Sequence, residues 1–227
     1  LTSLGNLLHP HRDLIGLSAA AITIIQFLSG FLVINGIRKK GNTEGFAVFP
    51  FLIGGVFCLL NIYFGQMIQD PAMIKVNLIG FALNIIYVTL FYIYSIGSTK
   101  SKVWLQTGIS GAFAFGIISY AQYEDPKLVE FRFGIILTLI LFVLLGSPLA
   151  ELGDIIKRKS TEGLPFPMIL CGTLVSFAWF LYGIAIFNDF IIVQNVIALV
   201  LCGIQLSLFV IYPSTAAVKV QKNKKEN

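Results

Sequence analysis

The sequence predicts an all-α membrane protein of seven transmembrane helices, in which two parallel three-helix bundles are joined by a linker helix. Apolar residues make up 56% of the chain and charged residues only 12%, whereas a soluble domain carries about 25% charged residues. Seven apolar runs of about 20 residues can each cross roughly 30 Å of hydrocarbon as a helix. The third observation is an internal repeat: Ser29 recurs as Ser147, 118 residues later, and many other residues recur at the same spacing.

The predicted spans are helices, because none alternates apolar and polar residues as a membrane strand would. The first span is longer than the apolar part of a signal peptide, and Arg38-Lys39-Lys40 follows it in place of a cleavage site. We therefore expect it to be retained in the membrane. The seven spans are 14–36, 46–67, 74–96, 103–121, 131–152, 164–187 and 190–213.

Basic residues in the loops predict the orientation. With the N-terminus outside, the inner loops and the tail hold 12 of the 16 Lys and Arg residues, and the outer loops hold 4. Positive loops stay on the cytoplasmic side. The sequence therefore predicts an external N-terminus and a cytosolic C-terminus, which an odd number of spans requires.

The repeat matches spans 1–3 with spans 5–7 and leaves span 4 without a partner. Polar residues recur as well as apolar ones: Thr43-Glu44-Gly45 becomes Thr161-Glu162-Gly163, and Asn77 becomes Asn195. The extra crossing gives both three-helix units the same orientation, as parallel repeats facing each other across an axis along the membrane normal. The predicted domains are a first bundle over 14–96, a linker helix with its loops over 97–130, a second bundle over 131–213 and a basic cytosolic tail over 214–227.

Four residues are predicted to form a binding site between the bundles. Asn61 and Asn77 flank the turn after span 2, and Trp179 and Asn195 flank the matching turn after span 6, all roughly 9–14 Å from the turns at helical rise. An asparagine amide can donate to and accept from hydroxyl groups, and a tryptophan ring offers a flat apolar face with one N–H donor.

A single asparagine in a spanning helix is more often a contact between helices than a ligand contact. The recurrence of Asn77 as Asn195 favours the binding site. Asn84, Gln26 and Gln205 have no such symmetry, and we interpret them as packing residues.

The ordered series of motifs resembles the SWEET sugar facilitators over residues 14–213. The second half carries Ser147-Pro148-Leu149, Lys157 to Gly163, Trp179 to Gly183 and Asn195, and the first half repeats this frame more loosely. The resemblance implies that the paired asparagines of helices 3 and 7, with the residues at Asn61 and Trp179, bind sugar. Many relatives have Trp or Ser in place of Asn61, and this departure changes the shape of the pocket.

The same resemblance implies hinges and an outer gate. Proline removes a backbone hydrogen bond and lets a helix pivot, and family members place four prolines in helices 1, 2, 5 and 6. Here the matching residues are, in the same order, Gly30, Pro50, Pro148 and Pro165, so a glycine stands at the helix 1 position. Pro167 is an additional proline without an assigned role. The outer gate implied by the resemblance comprises Phe64, Tyr182 and Asp189.

These features together predict a passive, bidirectional monosaccharide uniporter that works by alternating access. Ion-coupled carriers commonly need a carboxylate inside the membrane, and the predicted spans contain almost none. One alternative is a PQ-loop carrier of another solute such as an amino acid, which a charged pocket residue would favour. A second alternative is a seven-helix receptor, against which the internal repeat argues.

The sequence predicts neither an enzyme nor a cofactor. His9 and His11 form only a terminal pair, and Cys58, Cys171 and Cys202 fall within spans as free thiols. No basic run with interleaved aromatics indicates nucleic-acid binding.

The predicted partners are a glucose-like mono- or disaccharide and membrane lipid, and the sequence leaves open whether copies associate as a homo-oligomer. The site of residence is the plasma membrane or an endomembrane of the vacuole, Golgi or early secretory pathway. Lys224 to Asn227 resembles a dilysine retrieval signal.

Overall fold

The structure, a computed structural model, describes residues 2–161, 164 and 166–212, and no strand occurs among them. Short loops and a 3-10 turn at His9–His11 separate the α-helices of this described part. These helices are α1 (Thr2–Leu8), α2 (Arg12–Leu28), α3 (Gly30–Lys40), α4 (Phe49–Met67), α5 (Pro71–Tyr94), α6 (Ser98–Tyr123), α7 (Val129–Arg158), α8 (Phe166–Ala185) and α9 (Asp189–Ile211).

The all-helical class and the spans predicted from the sequence are confirmed, with one substantial correction. The first span is not limited to 14–36, because helical structure runs from Thr2 to Lys40 with a one-residue interruption at Ser29. Five helical stretches in the described chain are long and apolar enough to cross a membrane, and α6 and α7, with 26 and 30 residues, are the helices at the two other predicted spans. The five stretches are Thr2–Lys40, Phe49–Met67, Pro71–Tyr94, Phe166–Ala185 and Asp189–Ile211.

Local sequence explains where several helices begin and end. Gly41 ends α3 with a φ of 77°, a left-handed conformation that glycine adopts without strain. Asp70 begins α5, because its side chain accepts hydrogen bonds from the amides of Ala72 and Met73. Pro71, the first residue of α5, lacks an N–H at a position where none is needed.

The chain forms two compact units, and their boundary falls within α7. The first-repeat unit is His11–Leu144, which holds α2 to α6 and the start of α7. The second-repeat unit joins Leu1–Pro10 to Leu145–Asn227. The predicted domain boundaries after residues 96 and 130 stay predictions, and the predicted tail over 214–227 lies outside the described residues.

Within the first-repeat unit, α5 packs against α2, α3 and α4, and α6 packs against α4. Its core includes Ile37, Phe51, Tyr87 and Phe91. The linker helix α6 therefore belongs to the same unit as the first bundle.

Within the second-repeat unit, α8 packs against α9, and the N-terminal helix α1 packs against α8. Gly5 lies against the ring of Phe187, and the Nδ1 atom of His9 is 2.8 Å from the Ala185 carbonyl oxygen. His9 therefore has a partner in the fold, which the sequence did not indicate.

Candidate functional site

The turn between α4 and α5 and the turn between α8 and α9 have the same backbone structure. In the first, the Asp70 amide donates to the Gly65 carbonyl, and in the second, the Asn188 amide donates to the Gly183 carbonyl. Asp70 and Asn188 each cap the following helix with a side-chain oxygen. The repeat seen in the sequence is thus a repeat of hydrogen bonds.

Glycine is required in both turns because the next helix passes close to it. A Cβ atom on Gly65 would lie 3.0 Å from Cγ1 of Ile74, and one on Gly183 would lie 3.0 Å from the backbone nitrogen of Ile192. Ile74 and Ile192 are themselves equivalent residues of the repeat. This close approach fixes the register of each helix pair.

The four predicted sugar-binding residues lie at matching depths below these turns. Asn61 and Trp179 lie six residues before the ends of α4 and α8, and Asn77 and Asn195 lie six residues after the starts of α5 and α9. Six residues of helix correspond to about 9 Å. The structure places two of these residues in each unit, at equal distance from its turn.

Asn77 and Asn195 also have the same side-chain conformation. Nδ2 of Asn77 donates to the Met73 carbonyl at 2.9 Å, and Nδ2 of Asn195 donates to the Ile191 carbonyl at 2.8 Å. Both side chains are half-buried. Each amide keeps one N–H and its Oδ1 for a further partner, which is the combination that a sugar hydroxyl requires.

Asn61 and Trp179 occupy equivalent positions but differ in character. Asn61 is buried, and its Nδ2 donates to the Phe57 carbonyl at 2.8 Å. Trp179 is buried too, and its ring meets that of Tyr182 edge-on, with centroids 5.5 Å apart. One repeat therefore contributes an amide at this level and the other an indole.

The residues predicted for the outer gate fall into different environments. Phe64 is enclosed and its ring stacks on that of Phe133, with the centroids 6.3 Å apart and the planes 8° apart. Its equivalent Tyr182 is also buried, beside Trp179. Asp189 is exposed at the first position of α9.

The predicted hinge residues differ in their place within the helices. Pro50 is the second residue of α4, where a missing N–H leaves no carbonyl without a partner. Pro167 holds the same position in α8, a match that the motif comparison missed because the two prolines are 117 rather than 118 residues apart. Pro148 lies within α7, and Pro165 lies outside the described residues.

Gly30 begins α3 directly after the interruption at Ser29. A Cβ atom at Gly30 would lie 2.4 Å from Cε2 of Tyr87, so the ring of Tyr87 occupies the space of a side chain there. The hydroxyl group of Tyr87 donates to the Phe27 carbonyl at 2.9 Å, just before the interruption. The glycine and the tyrosine thus act together at this break, and the sequence indicated only the glycine.

Charged groups lie mainly at the ends of the helices. In the loop before α7, Glu124 accepts hydrogen bonds from the Tyr120 hydroxyl, the Asp125 amide and the Arg132 guanidinium, and together these lower the pKa of Glu124 to about 2. Among the described residues, no group of three or more His, Cys, Asp or Glu side chains could hold a metal ion.

Comparison with known proteins identifies the family. The family described as "Sugar efflux transporter for intercellular exchange" matches the chain twice, over residues 13–99 and 131–217. The Sugar transporter SWEET1 of Drosophila pseudoobscura pseudoobscura is 29% identical over 202 residues, which cover 88% of this chain and 89% of that protein. The Bidirectional sugar transporter SWEET4 of Arabidopsis thaliana is 27% identical over 211 residues, covering 90% and 83% of the two chains.

A solved structure of a eukaryotic SWEET transporter has the same fold. It matches with a TM-score of 0.83 and 26% sequence identity, over 91% of this chain and 98% of that one. The predicted arrangement of three helices, a linker helix and three helices is confirmed by this match. With its two family repeats and its seven-helix fold, the chain belongs to the SWEET family of sugar transporters, which are not enzymes.

Proposed function

We propose that this protein carries a glucose-like monosaccharide across its membrane in both directions by passive alternating access. The observation that carries the proposal is the pair Asn77 and Asn195. These residues lie in the two segments that match the family, six residues into their helices, with the same side-chain hydrogen bond. Relatives that share most of their length with this chain are named as bidirectional sugar transporters.

The proposed sugar-binding residues are Asn77, Asn195, Trp179 and Asn61. The two equivalent asparagines supply amide donors and acceptors for hydroxyl groups. Trp179 supplies an apolar face for the C–H side of a sugar ring. Asn61 stands where the second repeat has that indole, and it is smaller and supplies a further polar contact.

Transport without ion coupling is supported by the positions of the acidic groups. Asp70 caps α5, Asp189 begins α9, Glu130 lies in the first turn of α7, and Glu124 is in the preceding loop. A proton or sodium relay commonly uses a carboxylate within a span. With these four acidic groups at helix ends, the proposed driving force is the sugar gradient alone.

Alternating access requires helices that can bend, and the proposed bending points are Gly30, Pro50, Pro148 and Pro165. The interruption of helical structure at Ser29 supports a bend beside Gly30. Phe64, Tyr182 and Asp189 are proposed to close the outer entrance. All three lie at or near the turns below which the asparagines are placed.

The proposed orientation has the N-terminus outside and the C-terminus in the cytosol, as the distribution of Lys and Arg indicates. The plasma membrane and an endomembrane both suit this orientation. The motif Lys224 to Asn227, which would direct the protein to the early secretory pathway, lies outside the described residues. Glycosylation-site tagging of the N-terminus tests the orientation directly.

The decisive experiment is flux into liposomes that contain only the purified protein. We expect labelled glucose to enter until the inner and outer concentrations are equal, with no effect of a proton ionophore. Asn77→Ala and Asn195→Ala should each reduce the initial rate to below about a tenth, since a lost hydrogen bond with a sugar leaves a buried polar group unpaired.

Asn84→Ala is the matched control, because Asn84 makes the same hydrogen bond to its own helix, donating to the Gly80 carbonyl at 2.8 Å, but has no equivalent asparagine in the repeat. Its flux should stay within about twofold of wild type. Accumulation of glucose above the external concentration would overturn passive transport. Normal flux in the double variant of Asn77 and Asn195 would overturn the binding site.

A further inference from the structure

A cavity lies in the first-repeat unit, between α4, α5 and α6. Its volume is about 280 Å³, and its walls are mostly apolar, with Phe51, Leu59 and Phe81 among them. The helix α6 has no counterpart in the second repeat, so this cavity belongs to the first-repeat unit alone. We call it the linker groove, after the linker helix that forms one wall.

The linker groove contains one buried amide that is only partly used. Asn84 is 8% exposed, and its Nδ2 donates to the Gly80 carbonyl at 2.8 Å. Its Oδ1 accepts no hydrogen bond within the described chain, yet it is not enclosed by protein atoms. A Cβ atom at Gly54 would lie 3.2 Å from this oxygen, so the amide packs in the space that the missing side chain leaves. A carbonyl without a hydrogen-bond partner beside an apolar wall is costly and is normally satisfied by a partner.

Two hydroxyl groups of the linker groove also present acceptors. The Thr89 hydroxyl donates to the Ile85 carbonyl and the Thr107 hydroxyl to the Val103 carbonyl, both at 2.8 Å. Their protons are committed to their own helices, so their oxygen lone pairs remain. Ser110 adds a hydroxyl that can donate or accept. The groove therefore suits an apolar molecule that carries one hydroxyl group of its own. A sugar, which needs many polar partners, does not fit such a wall.

Depth and size narrow the class of ligand. Asn84 is the fourteenth of the 24 residues of α5 and so lies near the middle of the span. Phospholipids keep their polar groups in the interfacial region about 15 Å away from the centre of the hydrocarbon, so their donors do not reach this depth. The α5 wall, from residue 81 to residue 89, is about 12 Å long, which fits a molecule of one or two rings rather than a whole transmembrane helix.

The groove opens toward the surface that faces lipid. Ile85 and Gly111 at its rim are exposed, and α6 presents Leu105, Ile109 and Phe113 to the outside, at four-residue intervals on one face. Such a face is in contact with acyl chains in a membrane-spanning helix. A molecule dissolved in the bilayer can thus enter without passing through water.

From these observations we propose that the linker groove binds a small, membrane-soluble phenol or alcohol, whose hydroxyl group donates to Oδ1 of Asn84. The site is separate from the proposed sugar-binding residues, and the proposal does not rest on sugar transport. Its test therefore measures binding and not flux.

The experiment is photolabelling of the full-length protein in phospholipid nanodiscs with a phenol that carries a trifluoromethyl-diazirine. A matched probe has the same ring and diazirine but no hydroxyl group. We expect saturable labelling by the phenol on peptides containing residues 81–89 or 107–114, with displacement by excess unlabelled phenol. Asn84→Leu should lower labelling by the phenol about threefold to tenfold, the equivalent of one hydrogen bond, and should change labelling by the hydroxyl-free probe less than twofold.

Two glycines of α6 provide a matched pair of blocking variants. Gly111 lines the groove and Gly108 does not, and a Cβ atom at either would meet no atom within 4 Å. Gly111→Phe should therefore fill the groove and abolish labelling, while Gly108→Phe should leave it unchanged.

Labelling that does not saturate, or that survives in Gly111→Phe, would overturn the proposal. So would equal loss of both probes in Asn84→Leu. An oligomer in nanodiscs that dissociates on Gly111→Phe, with no saturable labelling in the wild type, would instead make the groove a docking site for a helix of a second copy.

Discussion

The two repeats agree in their turns and differ in the first helix of each. Both turns use a glycine, a capping side chain and an asparagine six residues into the next helix. The first repeat has Ser29-Gly30 where its helical structure is interrupted, and the second has Ser147-Pro148 at the equivalent positions, within the continuous helix α7. Features that set the depth of the proposed site are thus kept in both halves, whereas the residues at the proposed bending points differ.

The divergence extends to the residue that packs against the bend. In the first repeat, Tyr87 fills the space beside Gly30 and donates to the Phe27 carbonyl. The equivalent of Tyr87 in the second repeat is Gln205, which cannot place a ring there. Proline creates a bend by removing a hydrogen bond, whereas glycine permits one by removing a side chain. The first repeat therefore fixes its bend by packing.

The largest effect on transport should come from giving the two repeats the same residue at the equivalent positions Asn61 and Trp179. Trp179→Asn would give both repeats an amide at this level and remove the apolar face, so we expect glucose flux in liposomes to fall more than about tenfold. Asn61→Trp would put a second indole at this level and leave less room for sugar. Competition by disaccharides should therefore weaken more than competition by monosaccharides. Unchanged flux and unchanged competition in both variants would show that these two positions do not contact the sugar.

The next effect concerns the bend of the first repeat. Gly30→Ala would place a methyl group 2.4 Å from the Tyr87 ring, which Phe31 and Phe51 hold in place at centroid distances of 5.1 and 5.2 Å. We expect the free energy of unfolding in detergent to fall by about 1–3 kcal/mol, as for an overpacked core.

Gly111→Ala is the control for that prediction, because the added methyl group meets open space and alanine favours helix. Tyr87→Phe removes the hydroxyl group but keeps the ring. It should lower the free energy of unfolding by about 1 kcal/mol, because the hydrogen bond to the Phe27 carbonyl is lost. If Gly30→Ala were as stable as wild type, the bend would not be fixed by packing.

The spans, the repeat and the family could be predicted from the sequence because each depends on many residues. Apolar length defines seven helices, and a spacing that recurs along the chain defines two bundles. The extension of the first helix back to Thr2 could not be predicted, because Pro10 and the charges of Arg12 and Asp13 resemble a loop. Packing against α8 through Gly5 stabilises that segment.

Single contacts were harder to predict than segments. The sequence predicts Asn84 to be a packing residue, and only the arrangement of α4, α5 and α6 shows the linker groove beside it. Tyr87 likewise carries no motif, since its role depends on the space left by a glycine 57 residues earlier. Pro167 was missed because its match to Pro50 is one residue out of register with the repeat.

A smaller effect should distinguish the two turn glycines. At Gly65, an added Cβ would first meet a side-chain atom of Ile74, at 3.0 Å, with the backbone nitrogen at 3.4 Å. At Gly183, the backbone nitrogen of Ile192 is already at 3.0 Å. Because a side chain can move more easily than a backbone, Gly183→Ala should lower the free energy of unfolding by about 1 kcal/mol more than Gly65→Ala. Equal losses would show that both turns adjust in the same way.

The smallest effect compares the two capping residues. Asp70 accepts hydrogen bonds from two amides, at 2.9 and 3.0 Å, whereas Asn188 accepts one, from Ile191 at 3.0 Å. Loss of such a cap costs about 0.5–2 kcal/mol, so thermal unfolding should show a larger loss for Asp70→Ala than for Asn188→Ala. Asp70→Asn is the control, because it keeps an oxygen acceptor and should retain most of the stability. A greater loss of stability for Asn188→Ala than for Asp70→Ala would contradict this prediction. It would mean that the second turn depends on its capping side chain more than the first turn does, although its cap accepts fewer hydrogen bonds.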